Sequence, residues 1–362
     1  MELILGAFVF CAVLFLYLHI QFHLKTSDDL EVYEIDQPSK DKMEEICDLR
    51  QPVMFDLESE SDNIIKTTSK KYILDNYPVF EVKIRNLNES NPEAELYMPL
   101  QMQHAAKLCA EDTASTYFSE NNAEFLTETG VIKHFQYNDS FLRPNLVSNC
   151  YYDIMFGSQG VTTPFRYDLN YRNFFMVTEG EACIKLSPPK SSKYLHETKN
   201  YEQLELGSPV NPWSPQPKYS ADFSKIKCLE ITLRPGKCLY IPAYWWHSFR
   251  FNKDTSISCF RYKTYMNNVA VLPHTFMYYL QNQNIDRKVA KPAQQTESAI
   301  LQPSLHVQLP EHNQSQNIQQ PTISGTDSQE NGANVSVPVA EPVGMTLNES
   351  LGDSLGSTVI NI

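Results

Sequence analysis

With 362 residues, 42% of them hydrophobic, and a formal charge of −13, the chain has enough apolar material for a sizeable core and no basic footprint for nucleic acid. Its eight cysteines are scattered without a CxxC pair. That argues against a disulfide framework or a cysteine zinc site, and reads as reduced thiols.

The chain opens on an unbroken apolar run, Leu3 to Leu18, extended by Ile20 and Phe22 past His19 and Gln21. This is close to the roughly 20 residues that cross a bilayer. Glu2 stands where a signal peptide carries its basic leader, and no small-x-small cleavage pattern follows. Residues 1–24 therefore read as an uncleaved single-pass membrane anchor, with the lipid bilayer as partner of residues 3–22; a cleaved signal peptide is the rival reading. Reduced thiols favour a cytosolic globular part. The Asn-x-Ser sequons at Asn88, Asn138, Asn313, Asn334 and Asn348 point the other way.

Residues 25–49 are charged and read as a juxtamembrane segment with a short helix from Lys40 to Asp48. The folded domain is expected over 50–285. "QPVMFDL" reads as its first strand, and Val79–Leu87 as a half-buried strand with Phe80, Val82 and Ile84 on the apolar face. Helical spacing follows from Leu100. From Val161 to Tyr262 the text is mostly strands broken by Pro, Gly and Asn, and a closing helix broken at Pro273 ends the domain. Residues 286–362 form an acidic tail: from Pro292 on it has no Lys, Arg, Phe, Tyr or Trp, and it is expected to be disordered.

Two stretches carry the chemistry. "TPFRYDLNYRNFFMVTEGEACIKLSPP" (Thr163–Pro189) and "PGKCLYIPAYWWHSF" (Pro235–Phe249) together resemble the cupin-like, Jumonji-C (JmjC) family, especially its asparaginyl-hydroxylase-type members. The resemblance spans roughly residues 50–285. It implies a mainly β, double-stranded β-helix, a cupin or jelly-roll barrel with flanking helices. It also implies Fe(II) held by two histidines and a carboxylate, with 2-oxoglutarate as cosubstrate.

Asp168 and His247 match two of the three metal ligands. The third position, two residues before Asp168 and so on the same strand face, is Arg166 rather than histidine. A guanidinium has no lone pair for a metal and is always charged. Arg166 and Asp168 are expected to project into the barrel together, as an ion pair in the metal's place. The oxoglutarate lysine of the family is replaced by Ala182, and Lys185 has the wrong strand parity to substitute for it. Thr163 and Asn173 match polar residues of the family pocket, and Tyr167, Trp245 and Trp246 are expected to line it. Trp213, in a Pro-rich insertion, either lines the barrel mouth or anchors its loop.

The reading is thus a membrane-anchored barrel with a degenerate iron triad and no cofactor. It would bind a protein or an anionic small molecule held by Arg166. The alternative is an Fe(II)- and 2-oxoglutarate-dependent dioxygenase that hydroxylates a protein side chain through Asp168 and His247.

Overall fold

Strands with apolar residues at alternate positions, and some apolar throughout, need covering on one face or both, and this chain meets that need with two sheets and a layer of helices. The computed structural model describes residues 1–57, 61–89 and 95–284, so the tail 286–362 lies outside the described residues. The chain begins with α1 (Glu2–Leu24), β1 (Tyr33–Ile35), α2 (Lys40–Cys47) and β2 (Val53–Asp56). Helices α3 (Ser61–Thr68) and α4 (Lys70–Asn76) lead to β3 (Glu81–Asn86) and β4 (Met98–Gln101). After α5 (Met102–Glu111), β5 (Tyr117–Ser119), α6 (Ala123–Glu128) and α7 (Ile132–Asn138), the chain becomes largely β. Its strands are β6 (Val147–Gly157), β7 (Phe165–Tyr167), β8 (Arg172–Glu179), β9 (Ala182–Ser187), β10 (Thr198–Asn200) and β11 (Glu205–Ser208). One turn of helix, α8 (Ser220–Phe223), precedes β12 (Leu229–Leu233), β13 (Lys237–Pro242), β14 (Trp246–Phe251) and β15 (Ser256–Thr264). Helices α9 (Tyr265–Ala270) and α10 (Leu272–Asn284) close the described chain, with Pro273 in the first turn of α10, where its missing N–H costs nothing.

Among the described residues one sheet runs β1-β2-β13-β8-β15-β6-β5-β3-β4 and the other β10-β11-β7-β14-β9-β12. This is the cupin or jelly-roll arrangement, mainly β with flanking helices. Strand β8 shows how the layers are built, because it is buried at every position but its last. Phe174 and Met176 point into the core shared with the helices, while Phe175 and Val177 point between the sheets. Strand β13 splits the same way, with Cys238 and Tyr240 outside and Leu239 and Ile241 inside. Each such large side chain contributes about 1.5–3 kcal/mol of burial.

Within residues 25–49, read from the sequence as a juxtamembrane segment with a short helix, β1 and α2 belong to the fold. Strand β1 pairs in parallel with β2, and α2 buries Met43, Ile46 and Cys47 in the same core as Phe174 and Tyr240. The charges of α2 lie on its other face, and the Ser39 hydroxyl caps it by accepting from Lys42 N–H. Helix α1 is long and apolar enough to cross a membrane. Its hydrophobic residues as far as Leu18 are exposed, and only near His23, which is buried, does it meet the domain.

Candidate functional site

Strands β7 and β14 are neighbours in antiparallel register, with Arg166 opposite His247. Alternation then sorts the side chains: Phe165, Tyr167 and Trp246 pack together on the outer side of the sheet. Arg166, Asp168 and His247 face the barrel interior. His247 is buried beside the rings of Phe175 and Phe249, and its Nε2 lies 3.8 Å from Asp168 Oδ2. Its Nδ1 is 3.2 Å from the Trp245 carbonyl, which only accepts, so Nδ1 carries the proton and Nε2 is left as a lone pair.

Burial pushes the His247 imidazole down to about 4; the Asp168 carboxylate opposes this, and Arg166 adds to it. Because the folded value lies below the ordinary 6.5, the unfolded chain binds the extra proton between those limits. The stability this residue contributes is therefore fully present above pH 6.5 and lost as pH falls towards about 4. Thermal midpoints measured across that window should fall more steeply for the native chain than for His247→Gln. Identical slopes would show that His247 is already hydrated.

Arg166 does not pair with Asp168 as expected. Its Nη1 donates to Glu120 Oε1 at 2.9 Å and its Nη2 donates to Glu120 Oε2, a bidentate clasp on a carboxylate that is only 1% exposed. Glu120 follows β5, at a turn where Asp153 accepts the backbone N–H groups of Asn121 and Asn122 at 2.9 and 2.7 Å. The Tyr97 hydroxyl donates to Glu120 at 2.9 Å, and Arg85 lies 3.4 Å from it while also reaching Glu205 at 2.9 Å. Burial alone would raise the Glu120 carboxyl, but the Arg166 and Arg85 guanidiniums and the Tyr97 hydroxyl hold it down at about 2.

Asp168 is met by a different cation. Arg261 on β15 shares the inward parity of Ile257 and Cys259. It stands 3.8 Å from Asp168 and 3.6 Å from Asp153, and its buried Nε has no hydrogen-bond partner. A cavity of about 390 Å³ opens over this group, lined by Arg166, Asp168, Arg261, Asp153, Lys263 and Tyr97 among others. Arg85, Arg166, Arg261 and Lys263 face Glu120, Asp153, Asp168 and Glu205, so the opposing charges are equal in number.

Of the expected pocket residues only Tyr167 reaches this cavity, at its rim, and its hydroxyl donates to Glu197. The others are held elsewhere. Thr163 Oγ1 accepts from Phe249 N–H at 2.9 Å, and the Asn173 amide donates to the Ile241 carbonyl at 3.2 Å. Trp246 donates to the Ser192 hydroxyl at 2.8 Å on the outer side of the sheet, and Trp245 to the Arg50 carbonyl at 3.2 Å. Adjacent residues in a strand cannot both face one pocket, which is why Trp246 and His247 diverge. Trp213 is a loop anchor, its indole N–H donating to Ser248 Oγ at 2.9 Å.

Iron of the family kind does not fit these residues. Asp168 and His247 supply two donors, the third corner is a guanidinium committed to Glu120, and a second guanidinium stands on Asp168. Among the described residues no group of three or more His, Cys, Asp and Glu side chains is placed to share a metal. His196 and His274 are engaged elsewhere, with Asp222 at 3.0 Å and Tyr201 at 3.3 Å. Ala182 is buried in the inter-sheet core, while Lys185 turns outward to the Pro212 carbonyl at 3.2 Å and to Glu230.

The sequence model of the cupin-like domain family matches residues 38–271, which begins at α2 and ends just after α9. HSPB1-associated protein 1 of Rattus norvegicus is 33% identical over 92 residues, 25% of this chain and 19% of that protein. JmjC domain-containing protein D of Dictyostelium discoideum is 31% identical over 110 residues, 30% and 23% of the two chains. Jumonji C domain-containing protein 5 of Drosophila melanogaster is 27% identical over 101 residues, 26% and 23%. The matched segments span about a fifth of the length of these relatives. With the barrel, the strand register and a match over most of the domain in agreement, the chain belongs to the cupin-like, JmjC-related family.

Proposed function

We propose that this chain is a non-catalytic cupin-like binding domain, held at a membrane by α1, in which a lattice of ion pairs stands where related oxygenases carry iron. One observation carries the reading: Arg166 is clasped by the buried Glu120 beside Asp168 and His247. A cation fixed there repels a divalent metal, and the carboxylate holding it cannot be spared without leaving a charge unpaired. The ligand of the cavity is a small anionic molecule or an acidic side chain of a protein partner. Arg166 is already clasped by Glu120, so the remaining cations on the cavity wall are Arg261, which stands 3.8 Å from Asp168, and Lys263.

The test is metal content and turnover of the purified full chain. The expected result is no stoichiometric iron and no consumption of 2-oxoglutarate, whereas Arg166→His combined with Glu120→Gln gains iron on Asp168, His247 and the new imidazole. Stoichiometric iron with oxoglutarate consumption in the native chain would overturn the reading. It would favour the second one, a dioxygenase acting on a protein side chain, which the 3.8 Å approach of Asp168 to His247 keeps open.

A further inference from the structure

We propose that the chain meets the bilayer a second time, through an apolar ridge on α9 and α10 that lies in the lipid headgroup region. This rests on the reading of α1 as an anchor. Over Leu272–Leu280 helix α10 exposes an apolar face, while Gln281–Gln283 beyond it are exposed and polar. Leu272, Phe276 and Tyr279 are 59%, 59% and 60% exposed, with Met277 and Leu280 beside them, while His274, Thr275 and Tyr278 turn towards the domain. A helix on the surface of a soluble domain puts its apolar stripe on the core and its polar residues outside. The ridge begins on α9 with Tyr265 and Val269, both exposed. Tyr265 and Val269, four apart, share one face of α9, and Leu272, Phe276 and Tyr279–Leu280, three or four apart, share one face of α10.

The occupant follows from what stands next to it. The last turns of α1 pack on α9: His23 Nε2 lies 3.3 Å from the Thr264 hydroxyl that caps α9. Leu18 and Phe22 share a cavity of about 490 Å³ with Leu146, Tyr265 and Met266. A helix of 23 residues is about 35 Å long, against a hydrocarbon core of about 30 Å. If α1 spans, its final turn emerges at the headgroups and carries the start of the ridge with it. Tyrosine is favoured at that depth, and the ridge holds Tyr265 and Tyr279. Residues 265–284 contain no Asp, Glu, Lys or Arg, so no charge on these helices opposes insertion. The anchor also makes the contact intramolecular, so a modest apolar area suffices to hold it.

The experiment uses the full chain in phosphatidylcholine vesicles, with an environment-sensitive fluorescent amino acid replacing Phe276 in one preparation and Leu14 in another. Both side chains are exposed, so neither replacement disturbs the core. The probe at 276 should emit at shorter wavelength than in detergent-free denaturant, be quenched by nitroxides near the headgroup, and lose severalfold in iodide quenching. The probe at 14 should respond to deep nitroxides. Free iodide access at 276 with lipid quenching at 14 overturns the proposal and leaves the anchor standing. Absence of lipid quenching at both positions overturns the anchor reading and the proposal with it. Shielding at 276 from iodide and lipid alike means that protein, such as a second copy of the chain, covers the ridge, and this too overturns the proposal.

Discussion

Replacing Glu120 by alanine should cost the domain about 3–5 kcal/mol, the range for removing one partner of a buried ion pair. The loss is large because the residue is 1% exposed and answers two guanidiniums and a phenol at once. Without it Arg166 keeps only the 4.0 Å approach of Glu205, which Arg85 already engages at 2.9 Å. Restoring neutrality should repair much of the damage: Glu120→Leu with Arg166→Met should recover most of the midpoint in urea, measured on the full chain in non-ionic detergent with an unchanged slope. A single-variant loss below about 1 kcal/mol would be the size of an exposed pair and would mean that water reaches Arg166.

Trp245→Ala is the second large effect, about 3–5 kcal/mol, because the indole is fully buried between the sheets and leaves a cavity. Its N–H also holds the Arg50 carbonyl, in the link between α2 and β2 where Arg50 itself takes a positive φ of 60°. The Arg50 guanidinium in turn stacks over Tyr171 and over Phe22 of α1, at 4.6 and 5.2 Å. Trp245→Phe should retain most of the packing and lose mainly the hydrogen bond, about 1 kcal/mol by the usual net value. The same urea titration separates the two contributions. Equal losses in both variants would place the whole effect on the hydrogen bond.

These residues show how the barrel turns into a site. Neighbouring strands β7 and β14 set Arg166 against His247, and the turn after β5 delivers the carboxylate that decides what Arg166 does. In a barrel with a metal, that interior position gathers negative and neutral donors around a cation. Here the cations are side chains: Arg166 and Arg85 share Glu120, and Arg261 stands between Asp168 and Asp153. Under the proposed function, an anionic ligand would meet Arg261 and Lys263 at the cavity wall rather than Arg166.

Part of this arrangement is legible in the residues themselves. The offset of two between Arg166 and Asp168 places them on one face by strand geometry alone. Alternation in "SISCFRY" likewise puts Arg261 on the face of Ile257 and Cys259, and parity alone separates Trp246 from His247. Glu120 had no such signal. It lies 46 residues before Arg166, beyond a strand of only three residues, in a stretch with no periodicity to mark it. The start of the domain was hidden for a related reason: the charges of α2 dominate its composition, while Met43, Ile46 and Cys47 do the packing.

By itself the sequence determined the cupin-like barrel, the apolar leading helix and the arginine at position 166, because alternation, an apolar run and the identity of one residue are local properties. Only the tertiary structure decided that Glu120 rather than Asp168 neutralises Arg166, that Arg261 takes Asp168, and that α9 and α10 present an apolar face beside α1. Partnerships between buried charges and the exposure of a helix face depend on which distant segments become neighbours, and no spacing along the chain encodes that.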